Sequence, residues 1–188
     1  MLRTIYSYLS SEVWPRRRDI VRGSELWIAL AGALLLAHCA SGWGIANTQV
    51  GEVVTVALAY AAVAFGFCLA GLTVALTLPN DGFVRELATK EPSAAQVKRK
   101  GRVPNAYSDL IFVFSWTAVA HWVVIVVGLL VLIEAGYGTR LVFGDFGLDE
   151  KIRLGLLSFF LLYAVFQFLI TLITLSQVGN RYIDHLRR

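Results

Sequence analysis

The sequence predicts an all-α integral membrane protein: four transmembrane helices, N- and C-termini cytoplasmic, and an N-terminal amphipathic interfacial helix. Three observations carry that prediction. First, the 188 residues are 57% hydrophobic and 16% charged, against roughly 45–50% and about 25% in soluble domains, so the surplus apolar surface must face lipid. Second, uncharged runs cover 26–50, 53–78, 110–133 and 154–178, each at or above the ~20 residues that cross a bilayer as a helix. They are continuous rather than alternating, and four strands could not close a barrel, which leaves helices as the spanning element.

Third, the cations are sorted by side. Arg3, Arg16, Arg17, Arg18 and Arg22 precede the first run, and Arg85, Lys90, Lys98, Arg99, Lys100 and Arg102 separate the second from the third. Arg181, Arg187 and Arg188 follow the fourth, which leaves Arg140, Lys151 and Arg153 for the other side. A split of fourteen against three places both termini and the central loop in the cytoplasm by the positive-inside rule. The expected location is the bacterial cytoplasmic (inner) membrane, multi-pass.

Taken in order, residues 1–24 are expected to form an amphipathic cytoplasmic-face helix and a basic turn. Leu2, Ile5, Tyr6, Leu9 and Val13 share one helical face, and Trp14-Pro15 then meets the Arg16–Arg18 cluster, a pattern suited to the membrane interface. This segment has no apolar core with a small-residue cleavage site, so the first run is expected to stay as a helix. Residues 25–178 form the bundle, with spans at about 26–46, 53–78, 110–133 and 154–178. The cytoplasmic loop 79–109 is bounded by Pro79 and Pro104 and divided by Pro92, with a short helix expected on either side of that proline. Residues 179–188 form a basic cytoplasmic tail whose Tyr182, Ile183 and Leu186 suggest a second interfacial foot. Ala29, Ala33, Ala37 and Ser41 in the first span, and Ala62, Gly66 and Ala70 in the second, have the four-residue small spacing of helix contacts, so these two spans are expected to cross closely.

Polar residues inside the spans are the candidate functional groups, because each must find a partner where there is no water. His38 and His121 fall at one predicted depth, counted from the cytoplasmic starts of their spans. With Cys39, Cys68 and Gln167 they would make an intramembrane polar layer. Tyr163, Gln167, Thr171, Thr174 and Gln177 lie close to one stripe of the fourth span, either bonding to other helices or lining a polar path. Two facing histidines in a helical bundle can ligate a b-type haem. Haem b on His38 and His121 is therefore the alternative cofactor reading, while the leading one has no cofactor and no metal. The cysteines lack the short paired spacing of a zinc motif.

The function classes narrow accordingly. No Asp or Glu lies within a span, which disfavours an intramembrane enzyme, and the broken, repeated helices of a substrate-coupled transporter are absent. The expectation is a non-enzymatic membrane protein that oligomerises and acts as a sensor or pore-forming effector. Small bacterial four-span proteins of defence and stress systems share that outline. Its cytoplasmic basic residues Arg16, Arg17, Arg18, Lys98, Arg99, Lys100 and Arg102 would contact a cytosolic protein partner or lipid headgroups, whereas nucleic acid is disfavoured because no aromatics interleave the charge.

Overall fold

A computed structural model describes Tyr6, Ser10 and residues 13–39, 50–77, 82–84, 106–135 and 148–186, and among them there is no strand. The helices are α1 (Trp14–Arg22), α2 (Ser24–Cys39), α3 (Val50–Leu76), α4 (Ala106–Ala135) and α5 (Leu148–Leu186). Three of them carry stretches long and apolar enough to cross a membrane, Gly51–Leu76, Tyr107–Glu134 and Ile152–Asn180, and α1 with α2 adds a fourth if that bent pair is one span. The architecture is thus three to four long apolar helices, as a membrane helical bundle requires. Most of the N-terminal amphipathic face and nearly all of loop 79–109 lie outside the described residues.

The bend between α1 and α2 is 57° and has a local cause. Gly23 leaves the helical region at φ −59°, ψ 130° while its N–H still bonds Ile20 O at 3.3 Å. The Trp27 indole N–H then donates to Val21 O at 2.9 Å, which satisfies one of the carbonyls that a helix end leaves open. At the opposite end of the chain, α5 runs unbroken to Leu186, so the expected C-terminal foot is a continuation of the last long helix.

α3 packs on α4, α4 on α5, and α5 on α2; α3 touches α5 only slightly, and α2 makes no substantial contact with α3. The expected close crossing of the first two spans is therefore corrected. Gly32 lies under Leu162 of α5, and Ala37 sits beside Gly155. On α3 the stripe Ala62, Gly66 and Ala70 faces outward, while Val54, Ala57, Ala61, Ala64, Cys68 and Ala75 are buried at alternating spacings of three and four. The reason lies in the partner. α3 has small residues on two faces, and α4 offers the Phe114 ring, which needs the hole that Gly71 leaves; a Cβ there would collide with it. Gly128 does the reverse for Leu58 of α3, at 3.0 Å.

Two clusters close the end of the bundle that carries α1, the near end. Arg16 of α1 reaches Asp109 of α4 at 3.0 Å and Ser108 at 3.4 Å, and its guanidinium lies 4.1 Å over the Phe112 ring. Phe83 packs edge-on against Tyr182 at 5.0 Å and also meets His185. At the far end Arg153 pairs with Glu134 at 3.0 Å, joining α5 to α4.

This packing distinguishes Gly66 and Gly71, five residues apart on α3 but on different faces. Replacing Gly71 by Ala should destabilise the detergent-solubilised protein by about 1–3 kcal/mol through overpacking, and adding Phe114→Leu should recover part of the loss. Gly66→Ala, where an added Cβ meets nothing within 4 Å, should leave the melting temperature unchanged. Thermal unfolding in one detergent measures all three.

Candidate functional site

The polar groups inside the helices gather on the seam between α4 and α5. Thr171 donates to Gln167 O one turn back, at 2.9 Å. That commits its proton, so Thr117 of α4 is the donor in the 2.7 Å contact between the two hydroxyls, with Gln167 O also 3.3 Å from Thr117 Oγ1. The α4 hydroxyl thereby bonds the Thr171 side chain, next to the Gln167 carbonyl that already accepts from Thr171. Both threonines are 0% exposed.

One turn further along α4, His121 is also fully buried. Its Nδ1 lies 2.8 Å from Thr117 O. A carbonyl only accepts, so Nδ1 carries the hydrogen and a neutral ring presents Nε2 as acceptor. The Tyr60 hydroxyl of α3, 3.4 Å away, is the matching donor, and the ring edges onto Phe168 of α5 at 6.0 Å. On the neighbouring face Trp116 Nε1–H donates to the Tyr163 hydroxyl at 2.9 Å. The Thr117, Thr171, His121, Tyr60 and Trp116 donors each meet an acceptor, which makes the seam a lock between three helices.

Of the expected polar layer, His121 and Gln167 come together in this seam. Cys68 is a buried free thiol in the neighbouring apolar cluster with Leu110, Phe114 and Ala118. His38 is exposed on the last turn of α2, and the Cys39 side chain lies outside the described residues. The expected stripe also divides: Tyr163, Gln167 and Thr171 are buried, Thr174 bonds back to Ile170 O at 2.8 Å, and Gln177 is exposed. Among the basic candidates, Arg17 and Arg18 are exposed, Arg16 is tied to α4, and Lys98, Arg99, Lys100 and Arg102 lie outside the described residues.

The shared depth of the two histidines is overturned. Ala37 sits beside Gly155, whereas His121 meets Phe168, thirteen residues further along α5, or about 20 Å at 1.5 Å per residue. Counting both spans from their first apolar residue misled because α2 starts far along the bundle axis, level with Phe168, with α1 filling the space below it. Histidines so placed cannot take the two axial positions of one iron, so the residues present do not fit haem b, and no cluster of three metal-ligating side chains occurs among the described residues.

Comparison with known families, curated proteins and solved structures finds no match. The reading of the site rests on its own residues. Sequence reasoning overlooked Tyr60 and Trp116 as seam members. A signal existed: Thr117 with His121, and Gln167 with Thr171, are each four residues apart and so share one helix face. Tyr60 is the one tyrosine in the run 53–78.

Between α3 and α5, beyond Tyr60 toward the far end, a groove of about 580 Å³ is walled by Val53, Val56, Ala57, Leu161 and Val165, with Glu52 at its rim. Its walls offer a ligand almost no hydrogen-bonding group.

Thr117→Val and Thr171→Val should each cost about 1 kcal/mol of stability, and the double variant should cost clearly less than the sum, since both remove one contact. A double-mutant cycle in detergent measures the coupling. His121→Ala should lower stability, and the purified protein should show no Soret band.

Proposed function

We propose that this chain is a non-enzymatic multi-pass protein of a bacterial cytoplasmic membrane that assembles with copies of itself. In that assembly it senses the state of the membrane or opens a pore, and it couples to a cytosolic protein through loop 79–109 and its termini. One observation carries the reading: α2 packs on α5 and leaves α3 alone, so one copy is an open row of helices rather than a closed bundle. The outward face of α3, with Ala59, Ala62, Gly66 and Ala70 exposed, is left for a neighbour, and small residues there allow close helix approach.

The seam bears on where a path would run. Thr117, His121 and Thr171 are fully buried and satisfied, so a conducting route through one copy would have to break the lock that joins α4 to α5. Any pore in this reading therefore lies between copies. Cytosolic coupling is supported by the near end, where Arg16–Asp109 and Phe83–Tyr182 connect α1 and the segment after α3 to the long helices. A partner pulling on either segment would act on α4 or α5 directly.

Native mass in a mild detergent, together with ion and dye release from vesicles containing the protein, tests the reading. A homo-oligomer is expected, and Gly66→Trp should dissociate it while leaving helicity intact. Release that survives dissociation would exclude a pore between copies, and a monomer at every concentration would end the self-assembly reading.

A further inference from the structure

The α1–α2 corner occupies an unusual level in the bundle. With Ala37 beside Gly155 and the helices antiparallel, the thirteen residues back to Ser24 bring the start of α2 level with Phe168 of α5. Val178, where the apolar run of α5 ends, is ten residues nearer the near end, or about 15 Å. α4 likewise stays apolar down to Leu110. The corner thus places Arg22 near a level where the two neighbouring helices are built for hydrocarbon, while Arg16 reaches the polar start of α4 at Asp109.

The segment 14–27 carries Arg16, Arg17, Arg18 and Arg22 against Asp19 and Glu25. Arg16 is spent on Asp109 and Phe112, while Glu25 accepts from the Ser24 hydroxyl at 3.4 Å. Arg17, Arg18 and Arg22 are exposed, with no ion pair to any described residue. Arg17 lies flat on the Trp14 ring at 3.8 Å. Trp14 and Trp27, 65% and 55% exposed, flank the cations as amphipathic rings suited to the headgroup level.

A guanidinium at this level is stable only if an anion or water reaches it, and its flat fork matches phosphate. We infer that the α1–α2 corner is a binding site for an anionic phospholipid. Arg17, Arg18 and Arg22 hold its phosphate, and the headgroup is drawn below the mean plane of the near leaflet. Basic charge so placed is worth ~1 kcal/mol per residue toward anionic lipid, and the exposed apolar surface of α5 at Leu169, Leu172 and Ile173 lies at the level of the acyl chains. The site stands whether or not the assembly senses or conducts.

The full chain, delipidated in a neutral detergent, is titrated with phosphatidylglycerol or phosphatidylcholine and read by native mass spectrometry. Phosphatidylglycerol should bind about tenfold more tightly or better. R17Q/R18Q/R22Q should erase the preference, and R17K/R18K/R22K should keep most of it. Equal binding of the two lipids, or a preference undiminished in the glutamine variant, overturns the inference. So does a wild type that binds polyglutamate but not phosphatidylglycerol, which would make the corner a protein-docking patch. Should the glutamine variant fail to fold, wild type in rising salt decides: the adduct should weaken several-fold from about 0.1 to about 1 M, and an adduct indifferent to salt overturns the assignment.

Discussion

Hydrocarbon offers no hydrogen-bond partner, so a polar side chain on one helix must be answered by its neighbour, and in this protein that constraint is met first between α4 and α5. Thr117 grips Thr171 beside Gln167 O at mid-height, and Glu134 holds Arg153 at the far end. Two points seventeen residues apart on α4, about 25 Å along the axis, fix both register and rotation. Everything else is attached to this pair. α3 hangs on α4 through Gly71 under Phe114 and Gly128 under Leu58, with Tyr60 as its one polar tie to the seam, and α2 lies on the other flank of α5.

The attachments differ in kind, and that sets a hierarchy of rigidity. Between α4 and α5 there are matched hydrogen bonds, which tolerate little sliding. Between α2 and α5 the described contacts are apolar packing around small residues, Gly32 under Leu162 and Ala37 at Gly155. Among the described residues, the α1–α2 strap is tied to α4 by Arg16, which crosses to Asp109. Arginine suits that position better than lysine would, because its flat face stacks on Phe112 while its nitrogens bind the carboxylate and Ser108.

The helical class and three of the spans were legible because long uncharged runs have few other physical meanings. The partners of those spans were not. α3 carries two small-residue faces, 62/66/70 and 57/61/64/68/71/75, and spacing alone ranks the shorter as highly as the longer. What decides is the Phe114 ring on a helix about forty residues away, which no local pattern encodes. The polar layer was legible in part: His121, Gln167, Tyr163 and Thr171 are where a period of 3.6 puts them. His38 was misplaced because depth was counted along each span, whereas depth is set by which residue of the neighbouring helix lies opposite.

That error points to how the first span is built. The described part of α2 has 16 residues, about 24 Å of helix, which falls short of a hydrocarbon core of about 30 Å. If α1 and α2 form one bent span, its first part, WPRRRDIVR, is polar. A polar half-span is tolerable only with side chains long enough to keep their stems in the apolar layer and carry their charges to its edge. Arginine and tryptophan are such side chains, and at this corner the segment uses both. The 57° bend at Gly23 tilts α1 away from the axis of α2 while Arg16 still reaches α4. A straight α1 would instead continue down α5 and present its arginines to Leu169, Leu172 and Leu175, side chains that carry no charge to pair with them.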